Sequence, residues 1–251
     1  MIEYSGKLVV TTRMAISSMN SQLTDEQVVG SVMMFDLATF TLDETVNLSN
    51  RKMCSIPALY QDVLIIGFVQ GGCGAYKITS SGLVELFSYE KTGDDAIAEL
   101  EFQGCTVIGT RAVFAMYKYG IRSYMIHYDG DLSFSLTKEE DLRFANIADF
   151  SYNNQRSHFV FSVAADGSKL FFPLASFSWV PDGERHAGVL VASIGDLSDY
   201  NVYELPVHAI PDAPADNGTD PQPTYIAVDD QYVWINLGNK GIGCFCCLRL
   251  T

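Results

Sequence analysis

The stretch AVDDQYVWINLG, Ala227 to Gly238, joins a short β-rich run to a second one, Tyr232 to Leu237, through a pair of aspartates. Aspartate favours the turn, and the β-branched and aromatic residues on either side favour extended chain, so the stretch reads as a hairpin. Three others share its form: IPALYQDVLIIGFVQG from Ile56, GCTVIGTRAVFAMYKYG from Gly104 and HFVFSVAADGSKLFFPLAS from His158. The segments downstream of these three hairpins also repeat one another, as AYKITSSGLVELFSYE after Gly74, IRSYMIHYDGDLSFSLT after Gly120 and GVLVASIGDLSDYNVYELP after Ala187. These are strand, polar turn and strand again, alternating apolar with polar residues as a half-buried antiparallel pair does. Near the N-terminus VVGSVMMFDLATFTLDETVNLS makes a fifth copy.

Anchored on their second strands at Leu8, Val63, Val113, Leu170 and Val233, the units are spaced 55, 50, 57 and 63 residues apart. Each interval holds one four-stranded meander. Such a sheet has two apolar faces that it cannot bury alone, so stacking face to face around an axis is its natural solution. The expectation is an all-β, five-bladed β-propeller forming a single domain over residues 1–251, with an irregular β-sandwich as the alternative. MIEYS at the start is expected to close the ring by completing the last blade, which would hide its open edge. Alternatively MIEYS is the innermost strand of blade one, leaving blade five with three strands.

The repeat resembles the architecture of the propeller modules of phage tails and virion appendages. It carries no WD dipeptide, and only one Gly-Gly pair, Gly71-Gly72, so the resemblance transfers no residues. It implies a non-enzymatic structural or interaction module that docks onto other protein subunits, in a virion if the resemblance holds. A carbohydrate-binding propeller is the second reading, and a glycosidase the third.

Thirty acidic residues against sixteen basic ones leave a net charge of -14, which repels phosphate backbones and anionic lipid and excludes both as partners. Hydrophobic residues at 48% supply a core. The opening MIEYSGKLVV lacks the basic and apolar segments of a secretory leader, and no run approaches the roughly 18 apolar residues of a span, so synthesis in a cytoplasm is expected. In that compartment Cys54, Cys73, Cys105, Cys244, Cys246 and Cys247 are reduced and the sequon at Asn217 is idle.

No cofactor or metal signature stands out. Asp62, Asp166, Asp229 and Asp230 share the turn between first and second strands, which points to turn-making rather than catalysis. His127, His158, His186 and His208 show no ligand spacing, CFCC lacks a second cluster to complete a zinc site, and the glycines around Cys73 suit a tight hairpin better than a phosphate loop. No nucleophile elbow is present. Segments that break the repeat are the candidate contacts: residues 17–27, 178–186 and the Pro-rich 207–223, with residues 138–148 spaced like a short amphipathic helix. Within them Trp179 and Arg185 are the side chains expected to dominate a protein interface, with Trp179 also able to stack on a sugar.

Overall fold

The computed structural model describes residues 1–12, 30–48, 54–68, 72–89, 101–153, 155–177, 180, 187–204, 225–229, 232–236 and 245–249. The first sheet holds β1 (Ile2–Tyr4), β2 (Lys7–Thr11), β3 (Gly30–Asp36) and β4 (Leu42–Leu48), in that order. The second holds β5 (Ala58–Tyr60), β6 (Val63–Gly67), β7 (Cys73–Thr79) and β8 (Gly82–Tyr89). A third is built from β9 (Gly104–Ile108), β10 (Arg111–Ala115), β11 (Gly120–Tyr128) and β12 (Phe134–Arg143). After a small ribbon of β13 (Ser151–Tyr152) and β14 (Gln155–Arg156) comes a fourth sheet. Here β15 (His158–Val160) and β16 (Ala164–Asp166) both pair with β17 (Lys169–Ser176), and β18 (Gly188–Ser193) and β19 (Asp196–Glu204) complete it. The last sheet has β20 (Tyr225–Val228), β21 (Tyr232–Asn236) and β22 (Phe245–Arg249).

The fold is therefore all-β, a succession of antiparallel meanders of the propeller type. All five anchor residues fall on second strands: β2, β6, β10, β17 and β21. Burial falls off at the outermost strand of the first four large sheets. Every residue of β6 is buried, whereas β8 and β4 are half-buried or exposed along most of their length. A second strand has a neighbour on each side and apolar cover above and below, while the outermost strand faces solvent.

Two expectations are corrected. The N-terminal segment does not complete the last sheet: β1 pairs with β2, Ile2 opposite Val9, and among the described residues the β20–β22 sheet has three strands. Ser5 and Gly6, at φ 49 and 76, form a two-residue turn of the kind that matches strand twist, and it folds β1 straight back onto β2. Residues 138–148 are not a helix. The ladder with β11 carries the extended chain to Arg143, with Lys138 and Glu139 facing solvent from this outer strand. Only then does the chain tighten into two 3-10 turns, Phe144–Asn146 and Ala148–Phe150.

Connections differ sharply between the two ends of every meander. First-to-second-strand turns take two or three residues, as at Gln61-Asp62 or Gly167-Ser168, whereas the chain between β2 and β3, or between one sheet and the next, is mostly much longer. Antiparallel order puts all the long connections of a sheet at one end. Chemistry that needs irregular backbone is therefore confined to that end.

The chain divides into two compact units, residues 1–112 with 125–137 and residues 113–124 with 138–251. In the first, the sheets β1–β4 and β5–β8 share a core of Val9, Val32, Met34, Leu48, Leu64, Ile66, Phe68, Tyr76 and Ile78. Burying each Val, Leu or Ile contributes roughly 1.5–3 kcal/mol. Cys54 belongs to this core, and Cys73 and Cys105 are buried in the same unit, all three as thiols rather than disulfides. Burial pushes the Cys54 thiol up to about 12 and raises Cys105 well above the usual range. These three thiols should resist iodoacetamide at pH 8 in the folded protein and react fully in denaturant, counted by intact mass; rapid labelling of any of them in the native state would contradict their burial.

In the second unit, Phe171 and Val189 pack against Val233 and Ile235, so the β15–β19 sheet and the last sheet share a core. Arg122 on β11 is buried completely, and its guanidinium grips Asp141 of β12 with two bonds, from Nε to Oδ1 and from Nη2 to Oδ2 at 3.2 Å. Nη2 also donates to Tyr119 Oη at 2.8 Å, and Nη1 to Tyr124 Oη at 3.4 Å. Lys138 and Arg143 approach the same carboxylate at 2.6 and 3.5 Å. Burial alone would raise Asp141, but the bonds from Arg122 and Lys138 more than offset it and hold the carboxyl below its ordinary value. A depressed pKa stabilises the fold above the pKa of an unfolded aspartate, and that contribution is lost as pH falls through the lower folded value. Asp141→Ala, which strands a buried guanidinium, should cost about 3–5 kcal/mol in urea unfolding at pH 7. The gap from the parent protein should shrink as the pH is lowered through the range where Asp141 is protonated.

Candidate functional site

Of the turn carboxylates that the structure describes, Asp229 bonds within its own turn, whereas Asp62 reaches side chains of other strands. Asp229 Oδ1 accepts from the Tyr232 backbone N–H at 2.8 Å, and its Oδ2 from Trp234 Nε1 at 2.6 Å. Asp62 accepts from Tyr128 Oη at 2.9 Å and sits 3.6 Å from Lys77 Nζ. Asp166 closes the β16–β17 hairpin opposite Lys169. None of the three is drawn into a shared site with another turn aspartate by any of these bonds. Asp229→Ala should cost on the order of 1 kcal/mol and alter Trp234 fluorescence, an effect readable in one thermal melt; an unchanged emission spectrum would mean that the indole bond is not formed in solution.

Other expected residues divide by position. Gly72, at φ 101, returns the chain through Phe68 N–H to Gly72 O, 2.9 Å, the tight hairpin expected there. His127 lies exposed beside Thr137 Oγ1 at 3.2 Å. Residues 17–27 and 207–223, together with Trp179, Arg185, His186, His208, Asp230 and Cys244, lie outside the described residues. Among the described residues no group of three His, Cys, Asp or Glu side chains is placed to hold a metal, and no helix is long and apolar enough to cross a membrane.

Spacing did not single out the chemistry at the long-connection end of the second unit. There the register of β15 on β17 sets His158 opposite Ser176. Ser176 Oγ lies 3.1 Å from His158 Nε2, and Ser157 Oγ lies 2.8 Å from Nδ1. A hydroxyl both donates and accepts, so the two serines satisfy the imidazole in either tautomer, which is how a ring 1% exposed avoids an orphaned nitrogen. Phe150 covers the ring with centroids 4.8 Å apart. The Ser157 peptide is pinned at both ends, its N–H donating to Phe150 O and its carbonyl accepting from Phe177 N–H, each at 2.9 Å.

Beside this pair is a cavity of about 440 Å³, lined by residues 148–152 and by Ser157, Leu174, Val202 and Glu204. The connection after β12 forms one wall and the β15–β19 sheet the other. Leu174, Gly188 and Glu204 lie in register across that sheet, so the central position of the row carries no side chain. The lining mixes two carboxylates, Asp149 and Glu204, with the hydroxyls of Ser151, Tyr152 and Ser157, and it contains no cation.

An aromatic cluster gathers around β15 and the residue after it. Tyr117 stands in the β10–β11 connection at φ 52, a backbone region that costs a non-glycine residue energy. Its ring lies 5.3 Å from Phe159, 5.2 Å from Phe161 and 5.7 Å from Phe177. The next turn needs Gly120: at φ 125 a Cβ there would meet Leu142 O at 2.0 Å. In sequence, the adjacent Ser157 and His158 at the opening of a repeat were the available signal, but Ser176 and Glu204 join them only through strand register.

No family model matches the chain, and no curated protein matches it. Solved structures do resemble it. A protein of unknown function from Bacteroides caccae is 15% identical with a TM-score of 0.50, over 88% of this chain and 65% of that one. The glutaminyl cyclase of Myxococcus xanthus is 13% identical, TM-score 0.43, over 82% of this chain and 76% of its own. An α-L-arabinofuranosidase from Clostridium thermocellum is 12% identical, TM-score 0.46, over 93% and 79%. The likeness is one of propeller-like all-β fold, and nothing in it points to a phage tail or virion protein. The expectation of a non-enzyme does not stand, because an all-β fold of the propeller type does not by itself exclude catalysis.

Proposed function

We propose that the chain binds a neutral, polyhydroxylated ligand of the carbohydrate class in the cavity of its second unit. The observation that carries this reading is the lining itself. Carboxylates accept hydrogen bonds from sugar hydroxyls, serine and tyrosine hydroxyls both donate and accept, and Ala148, Leu174 and Val202 offer carbon to the C–H face of a pyranose. At about 440 Å³ the cavity lies within the roughly 300–1,000 Å³ range of small-ligand sites. An acidic wall within a chain of net charge -14 disfavours phosphate or carboxylate ligands. Sugar binding at one such site, rather than one per blade, also agrees with a repeat that preserves apolar spacing but no polar-aromatic set.

A second reading, docking onto other protein subunits, is favoured by apolar side chains left in solvent in the first unit: Phe40, 72% exposed, and Leu42 at the β3–β4 hairpin, and Leu132 between β11 and β12.

A glycan array with calorimetry on its hits separates the two. Reproducible binding of a saccharide is expected, and Glu204→Gln should weaken it by about 10-fold or more, the worth of a hydrogen bond to a charged acceptor. Silence across the array, or binding untouched by Glu204→Gln and Tyr152→Ala together, would overturn the cavity reading and leave the docking reading standing.

A further inference from the structure

We infer that Ser157 is a nucleophile and His158 its general base, so that the cavity hydrolyses an acyl ester carried by a saccharide. The inference rests on the cavity being the ligand site, and it adds a reaction to it. Ser157 lines the cavity and is also the hydroxyl bonded to His158 Nδ1 at 2.8 Å, within the reach a base needs. With the ring hydrogen on Nε2, Ser176 Oγ at 3.1 Å accepts it, and Nδ1 then carries the lone pair that receives a proton. Ser176 is thus the positioning residue, in the part that a carboxylate plays in other serine–histidine sets, and Phe150 stacked at 4.8 Å holds the ring plane. The two bonds that pin the Ser157 peptide fix the nucleophile at the junction between the 3-10 turns and β15.

The step balances without any further reagent. Ser157 Oγ attacks the ester carbonyl carbon while its proton passes to His158 Nδ1. The C–O bond to the sugar breaks, the alkoxide takes that proton, and the alcohol leaves. Water then attacks the acyl-serine, giving its proton to Nδ1, which returns it to Ser157 as the carboxylic acid departs. No electrons are exchanged and no metal is required.

The test uses the full chain with p-nitrophenyl acetate as substrate and a fluorophosphonate as the covalent probe. The expected results are turnover that falls in acid as the imidazole protonates, and a single adduct mapped by tandem mass spectrometry to Ser157. Ser157→Ala, which keeps both bonds of the pinned peptide, should lower kcat/KM at least about a hundredfold while the protein still melts cooperatively, at a temperature lowered by the loss of one bond to the buried ring. Ser176→Ala should lower kcat and shift the pH profile while leaving KM alone. No turnover by the parent protein, or an adduct on any residue other than Ser157, would overturn the inference. Saccharide binding measured in parallel on Ser157→Ala separates the two readings. Binding that persists while the parent protein neither turns over ester nor takes up the probe sinks the hydrolysis and spares the binding site. Ester turnover with Ser157 labelled but with no saccharide bound sinks the sugar class, and with it the saccharide ester as substrate.

Discussion

A four-stranded meander whose second strand is apolar on both faces cannot stand alone, and the rest of the structure answers that constraint. Every side of β6 is covered, one face by the sheet before it through Val9, Val32 and Met34. The same solution recurs where Phe171 and Val189 meet Val233 and Ile235. Strand interiors are thereby committed to stacking. Conformational freedom is left to the connections, and antiparallel order assigns the short ones to one end of each sheet and the long ones to the other.

The polar chemistry of the second unit derives from this division. Between β12 and β15 the chain tightens into two 3-10 turns and a two-strand ribbon, and residues 148–152 of this connection wall a cavity against the sheet. Two groups that burial ordinarily penalises sit nearby with their valences filled, the guanidinium of Arg122 by Asp141 and two tyrosines, and the imidazole of His158 by two serines. A filled network of this kind locks rotamers, which is what a site needs in order to hold its groups at fixed distances.

The repeat and its strand positions were legible in the sequence because they rest on local pattern: alternation, turn residues and period. The role of Asp229 was legible for the same reason, since a short carboxylate at a turn bonds its own neighbours. Residues 138–148 misled because helical spacing of Leu142, Ala145 and Ile147 was weighed without the ladder that holds Lys138 to Arg143 extended beside β11. The N-terminal closure misled similarly. An open edge looked like a demand for a fifth-blade strand, but Ser5 and Gly6 had already turned β1 back onto β2.

What the sequence determined by itself is the class of fold, the number of repeating units and the acidity of the composition. These depend on composition and on neighbours along the chain. The pairing of Ser157 and His158 with Ser176, and of Glu204 with Asp149 around one cavity, was decided only by tertiary structure. Ser176 stands 19 positions beyond Ser157, Glu204 stands 55 beyond Asp149, and no local periodicity links them. Strand register brings Ser176 to His158, because it converts the distance along the chain into the few ångströms across a ladder, while Asp149 meets Glu204 only because the connection after β12 walls the cavity against the sheet.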